Sequence, residues 1–153
     1  MWWGMRKTIA IVPMLLAALA CTAPAPADVS IAAGGWVGTS PGQSGGAIML
    51  STASSIPVVP VGLQATLLVP VTGQGGYAVT GEIRGLSGGG FGGAYVGAGA
   101  GIGNLSIGRT TGPVVTIFGG KGIAPHASIE LRLYQGLQTG GTTAGFLGFR
   151  FSL

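Results

Sequence analysis

Charge is scarce in this chain. Seven Lys or Arg and three Asp or Glu stand among 153 residues, 7% of the total, where a soluble domain carries roughly 25%. Beyond Ala27 the basic residues are Arg84, Arg109, Lys121, Arg132 and Arg150, no two of them adjacent. The isoelectric point near 9.9 therefore reflects a shortage of acids and not a basic patch, which leaves nucleic-acid binding without its electrostatic footing. Cysteine and histidine occur once each, as Cys21 and His126. No internal disulfide can form, and no usual zinc site can be built. Glycine runs such as Gly99-Ala-Gly-Ile-Gly103 lack the strand–loop–helix context of a phosphate loop. The sequence thus offers no metal or cofactor site. Helical patterning is missing too: after Ala27 no stretch repeats apolar residues at three-and-four spacing.

Glycine, by contrast, is plentiful, with 32 residues. Composition of that kind can mark disorder. Mean hydropathy is nevertheless positive, at +0.62, and β-branched residues are common, the reverse of a disordered chain.

The first 27 residues are read as a signal peptide. Arg6 and Lys7 supply a positive n-region, and Thr8 to Ala20 an apolar run interrupted by Pro13. That run is shorter than the roughly 20 apolar residues a spanning helix needs. Ala25-Pro-Ala27 before Asp28 gives small residues at cleavage spacing, so cleavage is expected after Ala27. Cys21 either lies in the discarded leader or opens a lipid-modified mature chain, since Leu19-Ala20-Cys21 partly resembles a bacterial lipobox.

The remaining 28–153 is one domain's worth of chain. It divides into runs of about ten to thirteen residues, separated by clusters of Gly, Ser, Pro and Thr. Eight strands are predicted: Val29–Gly38, Gly46–Ser55, Val61–Thr72, Gly76–Leu86, Phe91–Gly103, Pro113–Gly122, His126–Gly136 and Thr143–Leu153. Membrane-crossing β-strands need about 9–11 residues when tilted, whereas globular strands cluster near 5–6. Eight long strands with short links predict an all-β, antiparallel, up-and-down transmembrane barrel, and eight is an allowed number for a small closed one.

The last strand shows the pattern most clearly. Gly145, Leu147, Phe149, Phe151 and Leu153 fall on one face; Phe146, Gly148, Arg150 and Ser152 fall on the other. In the fourth strand Ala78, Thr80, Glu82 and Arg84 oppose Tyr77, Val79 and Ile83. In the seventh, Ser128, Glu130, Arg132 and Tyr134 oppose Ile129, Leu131 and Leu133. In the third, Gln64, Thr66 and Thr72 oppose Leu63, Leu67, Val69 and Val71, with Leu68 and Pro70 interrupting the polar set. Period two does not say which face is inside. A soluble ligand-binding barrel turns the apolar set inward; a membrane barrel turns it to lipid. The few charges favour the second arrangement. Glu82, Arg84, Glu130, Arg132 and Arg150 sit mid-strand on the polar face, three Arg to two Glu. Inside a lumen they can pair, as burial demands.

On these patterns, and on the segments Phe149-Arg-Phe151-Ser-Leu153 and Ala94-Tyr-Val-Gly-Ala-Gly-Ala-Gly-Ile-Gly103, the region 28–153 resembles the small eight-stranded outer-membrane barrels of Gram-negative bacteria. The resemblance implies an outer-membrane location, contact with lipid, and delivery by the barrel-assembly machinery. It also implies that the last strand is an assembly signal, carried here by Leu147, Phe149, Phe151 and Leu153, with leucine where that family usually ends in phenylalanine. The expected function is structural or interactive and non-enzymatic, with a lumen largely filled by polar side chains. Two alternatives remain: a secreted or lipid-anchored soluble barrel binding a small apolar ligand, and a lipid A-modifying hydrolase.

The hydrolase alternative rests on His126, Ser128 and Glu130, which alternate along one strand. Lipid A deacylases place a nucleophilic serine two positions after a histidine, as Ser128 follows His126. Against it, alternate residues of a strand lie roughly 6.5–7 Å apart, which makes direct hydrogen bonds along one strand difficult. The family's asparagine after the serine is Ile129 here, and no acid follows Glu130. Trp36, Tyr77, Phe91, Tyr95, Phe118, Tyr134 and Phe146 fit either an interfacial girdle or ordinary packing. A glycine-rich lumen also allows for a thin conducting path.

Overall fold

The computed structural model describes residues 28–39, 43–55, 60–72, 76–87, 93–105, 110–138 and 140–153. The expected signal peptide, with Cys21, lies outside them, as do Phe91 and Arg109. Eight strands follow one another: β1 (Asp28–Gly38), β2 (Ser44–Ser55), β3 (Val61–Pro70), β4 (Tyr77–Ser87), β5 (Ala94–Asn104), β6 (Gly112–Ala124), β7 (Ala127–Gly136) and β8 (Thr143–Ser152). Each pairs antiparallel with the next, and β8 pairs with β1 to close the barrel. Closure leaves no strand edge unpaired.

The strand ends have local causes. Pro70 has no N–H to donate and ends β3. Beyond it the amides of Val71 and Thr72 both donate to the Gly46 carbonyl, at 2.9 and 3.2 Å. At the other end of the barrel β6 runs on through Ala124, past the expected stop at Gly122. A register irregularity between Gly122 and Ala124 lets the strand turn back through Pro125 and His126 alone. The β7–β8 turn contains Gly140 at φ 71°, a left-handed conformation that favours glycine.

Side chains alternate between outside and inside around the wall. Ile31, Leu50, Leu63, Ile83, Val96, Ile117, Leu131 and Phe149 are among the large apolar residues exposed on the outside. Their partners on the other parity are buried within. The apolar set therefore faces out, opposite to a soluble barrel that holds an apolar ligand inside.

The interior is divided by height. Four connections, β1–β2, β3–β4, β5–β6 and β7–β8, lie at one end, here the loop end; Asp28 and Ser152 lie at the other, the terminal end. The loop half of the lumen is an apolar plug of Trp36, Met49, Leu68, Val114, Tyr134 and Phe146. Trp36 and Tyr134 meet tilted at 53°, ring centroids 6.1 Å apart. The middle is polar: Ser51, Gln64, Thr66, Thr80 and Thr116 are buried there together with charged residues. The lumen is thus not largely polar as expected; polar groups, with Tyr95 and Phe118 among them, fill one part and the apolar plug the other. Burying a large apolar side chain contributes on the order of 1.5–3 kcal/mol, so the plug contributes strongly to packing.

Large side chains need space, and β5 provides it. Its inward row reads Tyr95, Gly97, Gly99, Gly101, Gly103. Gly97 pairs with Phe118 and Gly99 with Glu82. A Cβ on Gly97 would strike the Phe118 ring, and one on Gly99 would lie 2.5 Å from the Glu82 Cγ.

Candidate functional site: the charged belt of the lumen

Three strands supply the charged side chains of the belt. Glu82 and Arg84 project from β4, Glu130 and Arg132 from β7, and Arg150 from β8. Arg132 donates through Nη1 to Glu82 Oε1 at 2.5 Å and through Nε to Glu130 Oε1. Arg150 donates through Nη1 to Glu130 Oε2 at 2.8 Å and through Nε to Ser30 Oγ at 3.0 Å. Glu130 and Arg132 are wholly buried, each 0% exposed. Buried ions of this kind persist only when paired and further hydrogen-bonded, and both carboxylates meet that condition. Glu82 Oε1 also accepts from Thr80 at 2.5 Å, and its Oε2 accepts from Gln64 at 2.8 Å and Thr66 at 3.0 Å. Glu130 Oε2 also accepts from Tyr95 at 2.6 Å.

Arg84 stands apart from the ion pairs. Its guanidinium stacks 5.3 Å from the Tyr95 ring centroid, a cation–π contact. Arg132 makes a second, 4.2 Å from the Phe118 centroid. Aromatic faces thus complete what the carboxylates leave undone. Tyr95 lies at the junction, with its face to Arg84 and its hydroxyl to Glu130.

Trp36, Tyr95, Phe118, Tyr134 and Phe146 are all buried inside the barrel. None of the five is an interfacial girdle residue; packing is their role. Sequence reasoning placed Gln64 and Thr66 on the polar face, and missed Gln43. That residue sits just before β2, buried, and its Nε2 donates to the Leu105 carbonyl at 2.7 Å. Leu105 follows β5, so the bond joins two connections from opposite sides of the loop-end mouth.

His126, Ser128 and Glu130 do not converge. His126 is exposed in the β6–β7 turn. Ser128 Oγ lies 3.2 Å from the Tyr95 hydroxyl, and both oxygens of Glu130 are occupied as described. Among the described residues no group of three His, Cys, Asp or Glu could hold a metal ion.

Solved structures share this architecture. Neisserial surface protein A superposes with a TM-score of 0.58 at 15% identity, over 83% of this chain and 97% of that one. The N-terminal β-barrel domain of Pseudomonas aeruginosa OprF gives 0.56 at 21% identity, over 82% and 97%. Ail, the attachment invasion locus protein of Yersinia pestis, gives 0.54 at 14%, over 83% and 97%. The fold is that of a small eight-stranded outer-membrane β-barrel. Neither a protein-family model nor a curated protein sequence matches the chain; at these identities the likeness is one of fold.

On this barrel the residues of the expected assembly signal all face outward from β8 or just beyond it. Leu147, Phe149 and Phe151 are about half exposed, and Leu153 is 85% exposed. The Leu153 amide still donates to the Val29 carbonyl at 2.9 Å, continuing the β1–β8 seam.

Proposed function

We propose that this chain is an integral outer-membrane β-barrel with a structural or interaction role and no catalytic activity, exported by a leader cleaved after Ala27. The observation that carries the reading is the outer wall. Apolar side chains from all eight strands face outward, while Glu82, Glu130, Arg132 and Arg150 are buried inside. Water would penalise such a wall, and hydrocarbon favours it. Strands of 10 to 13 residues fit a bilayer's thickness. The partners implied are outer-membrane lipid and the barrel-assembly machinery, the latter through Leu147, Phe149, Phe151 and Leu153. The absence of catalysis is supported by the full occupation of Glu130 and the separation of His126 from Ser128.

Fractionation with a heat-modifiability gel tests the location. The folded protein should sediment with outer membranes and migrate differently before and after boiling; recovery from the soluble periplasm would sink the proposal. A second test uses Leu131, 52% exposed in mid-β7. In a bilayer Leu131→Arg should cost about 2–4 kcal/mol of folding free energy. An unchanged stability in lipid vesicles would mean that this face does not meet hydrocarbon.

A further inference from the structure

Among the described residues seven Asp, Glu, Lys or Arg side chains occur, and six belong to the inner face. Glu82, Arg84, Glu130, Arg132 and Arg150 form the belt, and Asp28 shares the inward parity of Ser30 on β1. The seventh, Lys121 of β6, has the opposite parity. Phe118 is buried in the lumen, whereas Ile117, Lys121 and Ile123 are exposed on the outer wall. In register Lys121 stands between Ala94 of β5 and Ile129 of β7. A single ammonium group thus belongs to the surface assigned above to hydrocarbon.

Its height matters. Lys121 lies three residues before the end of β6 at Ala124, on the terminal side, roughly 7 Å from that end at the usual rise and tilt of a membrane strand. Ile123, 43% exposed, is the next outward side chain toward that end. The Lys121 backbone is therefore still within the apolar band. Its flexible four-carbon stem carries the ammonium to the edge of the band, where charged side chains in membranes find water and partners. Among the described residues no carboxylate pairs with it. The three ion pairs all lie inside the lumen. The Leu153 carboxylate is two strands away and four residues beyond Phe149, the β8 member of the Lys121 row. Gly119, the next outward residue toward mid-membrane, and Ala94 beside the lysine are small, so the wall next to the stem is low.

We propose that Lys121 binds the phosphate of a glycerophospholipid in the leaflet at the terminal end of the barrel, with an acyl chain of that lipid against the low wall at Gly119. The inference rests on the outer-membrane reading and adds one fixed lipid contact to it. A phosphodiester is the anion that a bilayer offers at this depth, and it comes joined to the apolar chains that the surrounding wall accepts. Pro125 and His126 alone connect β6 to β7 at this end, and short turns face the periplasm in barrels of this class. The leaflet is accordingly the periplasmic one.

The chain has two lysines, Lys7 and Lys121. In a Lys7→Gln chain labelled with nitrogen-15 at the lysine ammonium, every side-chain lysine signal therefore comes from Lys121. This protein is refolded into vesicles of equal parts phosphatidylglycerol and phosphatidylcholine in phosphate-free buffer, and insertion is checked by heat modifiability. Rotational-echo NMR should then show the Lys121 nitrogen dephased by lipid phosphorus. In equilibrium urea unfolding Lys121→Gln should lower the midpoint in these vesicles and leave it unchanged in uncharged maltoside micelles. Lys121→Arg should keep the wild-type midpoint in both. Failure to insert would sink the outer-membrane reading and this contact with it. Insertion without phosphorus dephasing, or an equal loss from Lys121→Gln in vesicles and micelles, would overturn the lipid contact alone. Should Lys121→Gln fail to fold, the dephasing measurement decides, since it needs no substitution at position 121.

Discussion

Arg132 of β7 reaches Glu82 of β4 across the lumen at 2.5 Å, joining strands that share no backbone ladder. The contact braces opposite sides of the wall. Arg132 also holds Glu130, so replacing it strands charge on two carboxylates. Removing one partner of a buried pair costs about 3–5 kcal/mol. Arg132→Met should lose stability of that order in equilibrium urea unfolding from lipid vesicles. Glu82→Gln should cost less, because Gln64, Thr66 and Thr80 remain to bond a neutral amide. The double variant should be more stable than the sum of the two losses predicts, since neighbouring groups couple by about 0.5–3 kcal/mol. Strict additivity would show that the brace carries no energy.

Much of this architecture was legible from alternation, and the reason is geometric. Period two assigns a face to each residue of a strand, and β8, with Leu147, Phe149 and Phe151 against Phe146 and Arg150, displays it without ambiguity. Height was not legible. Leu68 reads as an interruption of the polar face of β3, yet it is fully buried opposite Met49, within the apolar half of the lumen. Trp36 and Phe146 lie near strand ends and fit a girdle from position alone. Only their parity with Arg150 and Ser30, fixed by the β1–β8 register, turns them inward. Pairing was hidden as well. Glu82 and Arg132 are 50 positions apart, and no local pattern distinguishes that contact from one to Arg84, which instead stacks on Tyr95.

Glycine in this barrel has two meanings, and they predict opposite outcomes. On the inner face of β5, a Cβ at Gly97 would meet the Phe118 ring and lie 2.5 Å from the Ile83 carbonyl oxygen. Overpacking of that kind costs about 1–3 kcal/mol. On the outer face of β4, a Cβ at Gly81 would meet nothing within 4 Å. Gly97→Ala should therefore lower the urea midpoint, while Gly81→Ala should leave it unchanged or raise it slightly through reduced unfolded-state entropy. Equal effects from the two would contradict the assignment of inside and outside.

The apolar plug bears on conductance. A thin wet path through a glycine-rich lumen is blocked in the loop half by Trp36, Tyr134 and Phe146, and Gln43 bonds across the mouth above them. Eight-stranded interiors are generally filled by side chains. The wild-type protein should be silent in planar bilayers even at high loading. Trp36→Ala combined with Phe146→Ala should admit water and produce resolvable single-channel steps, provided the charged belt keeps the wall closed. Steps of similar size in the wild type would show that the plug is not the barrier.

Leu153 offers a separation of assembly from stability. It is 85% exposed and touches the fold through its backbone bond to Val29, so its side chain contributes little to the packed barrel. If the last strand is read by assembly machinery, as its outward Leu147, Phe149 and Phe151 suggest, the chemistry of the final side chain matters only during insertion. Leu153→Phe should then increase the amount of heat-modifiable protein in the outer membrane of living cells. The same substitution should leave unassisted refolding into vesicles, and the urea midpoint there, within about 0.5 kcal/mol of wild type, the usual range for an exposed position. Phe151→Ser should act in the opposite sense in cells. A parallel change in both assays would assign the effect to barrel stability, and no change in either would remove the strand's role as a signal.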